Sequence, residues 1–170
     1  MADLNDGGSS NVRSGGYFIV RSIGECRRCQ VSTPLIALAL APEHETLSMD
    51  ADDGRQESIP DTWENAACSA LLFYIETLPD SVQRRLAEFS RAYRYAYSAE
   101  TQGSYWANHC TSCGALLEDH ELFCEPDGAF LPMSGDITAD LELIWIEEPI
   151  EAVAGGYSCD PAFFTASTET

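Results

Sequence analysis

The chain contains no lysine. Its nine basic residues are all arginine, and 28 acidic residues outweigh them to give a formal net charge of −19. A surface so unbalanced repels phosphate backbones and anionic bilayers, which argues against direct nucleic-acid binding and against a peripheral membrane role. Long apolar runs are also missing. The longest, residues 34–42 and 66–75, fall short of the ~18–20 residues needed to cross a bilayer. The first 16 residues carry no basic region followed by an apolar one, so no secretory signal is expected and the cytoplasm is the expected compartment. Histidine is scarce and scattered, at His44, His109 and His120. No G-x-S-x-G, H-E-x-x-H or phosphate-binding loop occurs, so an enzyme is not expected.

Cysteine, in contrast, is present seven times. Four of the seven form two C-x-x-C pairs, Cys26 with Cys29 and Cys110 with Cys113. Two intervening residues permit a tight turn that aims both sulfurs at one ion, and two such turns supply a closed tetrahedral shell. Glycine after the second cysteine suits the left-handed backbone that this turn favours. Gly114 occupies that position in the second pair and Gln30 in the first. An odd cysteine total without a signal peptide argues against a disulfide framework. The pattern therefore predicts a structural Zn²⁺ ion held by Cys26, Cys29, Cys110 and Cys113. Three alternatives stay open: a redox-active dithiol, His109 in place of a neighbouring cysteine, or Cys124 in place of one from the first pair. Cys68 lies in an apolar run and reads as buried and inert, and Cys159 as a plain thiol. Eighty residues separate Cys29 from Cys110, so one shared ion would fasten distant parts of the chain around an inserted body.

The length suits one domain, and 45% apolar residues suffice for a core. Residues 1–16 are small and polar and read as a disordered tail, 17–150 as the domain, and 151–170 as a C-terminal segment. Strands are predicted over 17–21, 33–40, 70–75 and 141–146. Residues 43–62 read as a loop, or as a hairpin about Gly54. A helix is predicted over 78–90, with Pro79 at its start, Asp80 or Ser81 as the cap, and Val82, Leu86 and Phe89 on its apolar face. Tyr93, Tyr95 and Tyr97 alternate as on a strand, and read as half-buried core with their hydroxyls at the rim in preference to a ligand platform. Residues 122–124 and 129–131 read as strands flanking a turn at Pro126-Asp127-Gly128. Asp119-His120-Glu121 reads as a solvated turn. The expected fold is α+β or mainly β: an antiparallel sheet with zinc-ribbon knuckles and one short helix.

The segments YFIVRSIGECRRC and SYWANHCTSCGALLEDHELFCEPDGAF together resemble a group of bacterial zinc-ribbon proteins. In that group an early C-x-x-C is followed, after a long insertion, by Y-x-x-N-x-C-x-x-C-G. Here the later motif is Tyr105, Asn108, Cys110, Cys113 and Gly114, and the likeness spans most of residues 17–131. The resemblance implies zinc at the two cysteine pairs and implies no activity. The functional expectation is an acidic, zinc-stabilised interaction module that docks a protein with a basic surface. The alternatives are an anionic mimic of nucleic acid that inhibits a nucleic-acid enzyme, and a C-x-x-C redox protein.

Overall fold

A computed structural model describes residues 10–48, 62–124, 129–130 and 141–159. Eleven antiparallel strands form one open sheet: β1 (Val12–Ser14), β2 (Tyr17–Glu25), β3 (Ser32–Leu40), β4 (His44–Ser48), β5 (Thr62–Ala66), β6 (Ala70–Thr77), β7 (Tyr93–Ser98), β8 (Gly103–His109), β9 (Leu116–Leu117), β10 (Glu142–Ile146) and β11 (Ile150–Cys159). The main path runs β10-β2-β3-β6-β11-β1-β4-β5, and β8 joins it by pairing with β6 while carrying β7 and β9 on its own edges. One α-helix, α1 (Asp80–Phe89), and a π-helical turn, His120–Cys124, complete the described structure. The mainly β, antiparallel reading of the sequence is therefore correct.

The sheet is buried on both faces where it matters. Ile36, Leu38 and Leu40 of β3 point into one core with Ile19, Leu72, Val82 and Leu86, beneath α1. Leu35, Ala37 and Ala39 point into the opposite core with Val20, Leu71, Leu122, Phe123 and Phe130. Side chains on a strand alternate between faces, so a strand covered on both sides carries an almost unbroken apolar run. That accounts for TPLIALAL. The two cysteine pairs contribute Cys26 and Cys110 to this second core, on the side away from the helix.

Several expectations are corrected. The disordered tail cannot extend to residue 16: β1 begins at Val12, which is 2% exposed and lies between β4 and β11. The segment after residue 150 belongs to the same sheet, because β11 pairs with β1 at its start and then with β6 from Val153 to Cys159, across a bulge at Val153/Ala154. Its small residues are what admit it: a Cβ on Gly156 would come within 2.3 Å of the Phe73 ring. Helix α1 is preceded by Pro79, and no side chain caps it; the Gln83 side-chain amide instead donates to the Leu78 carbonyl. Of the three tyrosines only Tyr93 is buried, while Tyr95 and Tyr97 are 53% and 63% exposed. Residues 122–124 form part of the π-helical turn rather than a strand, and Ala129 and Phe130 lie in a turn. The predicted turn at 126–128 lies outside the described residues. β4 and β5 pair in antiparallel register from His44↔Ala66 to Ser48↔Thr62, as the hairpin alternative for 43–62 requires, and Gly54 lies outside the described residues.

Candidate metal centre

The first cysteine pair sits at the tip of the β2–β3 hairpin. Their ladder runs unbroken from Phe18↔Ala39 to Glu25↔Ser32 and delivers Cys26 directly after its last pair. The turn closes through two backbone hydrogen bonds: Gln30 N–H donates to the Cys26 carbonyl at 2.7 Å, and Cys26 N–H donates to the Val31 carbonyl at 3.1 Å. The second pair follows β8 and repeats the pattern. Gly114 N–H donates to the Cys110 carbonyl at 2.9 Å, and Cys110 N–H donates to the Ala115 carbonyl at 2.8 Å. The residue after each second cysteine adopts the left-handed conformation, with φ of +62° at Gln30 and +76° at Gly114. The first turn thus takes the shape that glycine favours without having one.

Two buried side chains bring the turns together. Strand β6 pairs with β3 only at Leu38, Ala39 and Leu40, which leaves the main chain of Ile36 in need of partners. Asn108 supplies both. Its carboxamide oxygen accepts from Ile36 N–H and its amide donates to the Ile36 carbonyl, each at 2.9 Å. One primary amide can do this because it carries a donor and an acceptor side by side, as a strand does. Nearer the cysteines, Thr33 Oγ1 accepts from Thr111 N–H at 3.1 Å and lies 3.2 Å from the Thr111 hydroxyl. Asn108 precedes Cys110 by two residues and Thr111 follows it, so both clamps fix the second turn against the strand that leaves the first.

The result is a cluster of four thiols. Cys26 Sγ lies 3.7 Å from Cys113 Sγ, and Cys29 Sγ lies 3.5 Å from Cys110 Sγ, each contact crossing from one turn to the other. All four sulfurs lie within 4.8 Å of one another, close enough to bind one metal ion. A tetrahedron with metal–sulfur bonds of ~2.3 Å has edges of about 3.8 Å, near the two short separations. A disulfide needs ~2.05 Å, so these are not cystines. The amides of Cys113 and Ser112 point at Cys110 Sγ from 3.5 and 3.4 Å. Those two amides, with Cys113 the stronger influence, pull the Cys110 thiol down to about 6. Cys26 is lowered by the matching amides of Cys29 and Arg28. At Cys29 the Val31 amide acts in the same direction, but burial and the neighbouring thiols outweigh it and push the group up to about 11. Four sulfurs this close cannot all carry negative charge unless a cation sits among them.

The remaining candidates lie elsewhere. His109 turns its Nδ1 to the carbonyls of Ala92 and Ala107, both at 3.1 Å, and takes no part in the sulfur cluster. Consecutive strand residues face opposite ways, which separates His109 from Cys110. Cys124 is exposed in the π-helical turn, outside the cluster. Cys68 is half-buried rather than buried, in the bend before β6. Cys159 ends β11, and its side chain lies outside the described residues.

Asp119, read from the sequence as part of a solvated turn, is 2% exposed. Its Oδ2 accepts from Tyr74 N–H at 2.8 Å, and its Oδ1 has no partner. Tyr74 is itself held at φ +51°, and Asp119 N–H donates to the Tyr105 hydroxyl, which donates to Glu118 at 2.7 Å. Burial raises the Asp119 carboxyl to about 7. The sequence offered no periodic signal for this burial, because it arises where a turn packs across β6. The motif residue Tyr105 thereby has a visible task, anchoring the chain just beyond β9.

In comparison with known proteins, the chain matches no family model, no curated protein and no solved structure. The molecule is thus defined by what it contains: an antiparallel sheet carrying a four-thiol cluster within metal-binding reach. No helix among the described residues is long and apolar enough to cross a membrane.

Proposed function

We propose that the chain is an acidic, zinc-stabilised interaction module that docks a protein with a basic surface. The arrangement of Cys26, Cys29, Cys110 and Cys113 is the observation that carries this reading. Four soft thiolates in a near-tetrahedral set favour Zn²⁺ over hard cations such as Ca²⁺ or Mg²⁺. A shell closed by four thiolates keeps no position for water or substrate, which supports a structural role for the ion and a non-enzymatic role for the protein. The clamps at Asn108 and Thr33 support the same view, since they fix the turns independently of any reaction. The net charge of −19 supports a basic partner. Apolar side chains beside the first turn support a contact surface there: Ile23 and Val31 are 66% and 43% exposed, with the exposed Glu25, Arg27 and Arg28 between them in sequence.

Metal analysis of the purified protein, combined with affinity capture from host lysate at two salt concentrations, tests the reading. One zinc per chain and a basic protein partner lost at high salt are the expected results. Absence of bound metal, or a chelator-insensitive fold with thiol-exchange activity, refutes the structural staple in favour of a redox dithiol. Capture of nucleic-acid enzymes alone replaces the interaction module with an anionic mimic.

A further inference from the structure

Arginine is the only strong cation available to this chain, and its placement is uneven. Among the described residues, Arg13, Arg21, Arg27 and Arg85 form ion pairs with carboxylates. Arg28, Arg84, Arg91 and Arg94 form none. With acidic residues outnumbering arginines three to one, an unpaired arginine calls for an explanation.

Three of those four line one groove. It is an open, shallow groove of about 750 Å³ between α1 and the β7–β8 pair, lined by Gln83, Arg84, Arg91, Tyr93, Arg94 and Trp106. Among the described residues Asp80 is the single carboxylate on its wall, which sets three positive charges against one negative there. All three arginines are exposed. Arg84 Nε lies 3.4 Å from the Asp80 carbonyl, which leaves the terminal nitrogens of its guanidinium group unengaged. The aromatic wall is already ordered: Tyr93 and Trp106 stack at 6.1 Å between ring centroids and 29° between planes. Tyr95 supports the Trp106 ring from a further side at 6.1 Å. Trp106 is partly buried and packs on the core beneath α1, so its ring position does not depend on a ligand.

We propose that this groove binds a nucleoside phosphate, with the guanidinium groups of Arg84, Arg91 and Arg94 holding the phosphate and the Trp106 ring stacking on the base. Guanidinium forks match phosphate oxygens in geometry, and charge-assisted hydrogen bonds are the strong ones. An aromatic face beside a cationic groove is the combination that recognises a base together with its phosphate. The overall negative charge does not forbid this. At physiological salt, charges more than about 8 Å away are largely screened, so the three arginines at hand outweigh distant carboxylates. The same screening explains how a chain that repels a long nucleic-acid polymer can take one small nucleotide.

The test is a calorimetric titration of the metal-loaded full chain with ADP, pyrophosphate and adenosine. The expected result is saturable ADP binding, with pyrophosphate and adenosine each weaker by at least about tenfold. Arg91→Gln and Arg94→Gln should each weaken ADP binding by about tenfold or more, and Trp106→Phe should remove the fluorescence change on binding. Arg28→Gln removes the unpaired arginine that, among the described residues, lies outside the groove, and should leave binding unaltered. No saturable ADP binding at millimolar concentration overturns the proposal. So does an Arg28→Gln loss equal to that of Arg91→Gln, which would mean diffuse charge attraction, or pyrophosphate binding as tight as ADP, which would mean no stacked base. A dimer that Arg94→Gln dissociates would place a second copy in the groove and also overturns it.

Discussion

The two cysteine turns share one hydrogen-bond pattern but differ in the residue that makes the sharpest bend. Gln30 bends the first and Gly114 the second. A side chain at positive φ costs roughly 1 kcal/mol relative to glycine, so the first turn is the more strained of the two. The surrounding ladders explain why that is tolerated. The first turn caps eight consecutive β2–β3 register pairs. The second is backed by only two β8–β9 pairs, Asn108↔Leu117 and His109↔Leu116. A long ladder can hold a strained residue in place, whereas a short one needs a residue that bends unaided. Where the strand support is thin, the chain uses glycine and the Asn108 clamp instead.

The hardest blow to this comparison would come from cysteine replacement. Cys29→Ser, in the first turn, and Cys113→Ser, in the second, should each abolish stoichiometric metal binding. They should lower stability by the same amount, several kcal/mol, because the binding free energy of a structural ion is folding free energy. Chelation of the native protein should reproduce that loss in a denaturant melt followed by circular dichroism. If one variant kept its metal, the turns would not form one unit. Next in size is Asn108→Ala, which leaves both Ile36 backbone groups buried without partners. A loss of about 2–4 kcal/mol is expected from chemical denaturation, with metal affinity falling alongside. A loss below about 1 kcal/mol would show that the β8–β9 pairs support the second turn by themselves.

A third test separates the four-thiol cluster from the Asp119 site by pH. The Asp119 carboxyl is raised by burial to about 7, against an ordinary value near 3.8. The folded state therefore holds a proton that the unfolded state releases at lower pH. The stability this confers is complete below about pH 3.8 and is lost as pH rises through about 7. Relative to Asp119→Asn, the native chain should become progressively less stable from pH 4 to pH 7, as read from denaturation midpoints of both proteins. A pH-independent difference between them would refute the buried, raised carboxyl. The smallest effects concern the bends themselves. A Cβ at Gly114 would meet no atom within 4 Å, so Gly114→Ala tests backbone strain alone and should cost about 1 kcal/mol. Gln30→Gly should gain a few tenths to about 1 kcal/mol. Equal and negligible effects at both positions would erase the distinction between the turns.

Much of the architecture was legible along the chain. The C-x-x-C spacing located all four clustered thiols, and apolar runs located β2, β3, β6, β10 and α1. What escaped reading shares a physical cause. β1 and β11 are rich in small and polar residues, and they are strands because neighbours on both edges take their hydrogen bonds. Tyr93, Tyr95 and Tyr97 have identical periodicity, yet α1 and the core cover only the first, since cover depends on where the next element ends. Asp119 is hydrophilic by type and is buried because the turn that carries it packs across β6.

By itself the sequence determined the donor set, the tight-turn spacing that arms it, the acidic balance of the whole chain and the two-sided apolar strand at its centre. These follow from residue type and local spacing, which act before the chain is folded. Only the tertiary structure decided that the two turns meet, that Asn108 stands in for a missing strand neighbour, and that three unpaired arginines converge beside Trp106. Each of these depends on contacts between residues far apart in the chain, and such contacts exist only once the sheet has brought its edges and faces together.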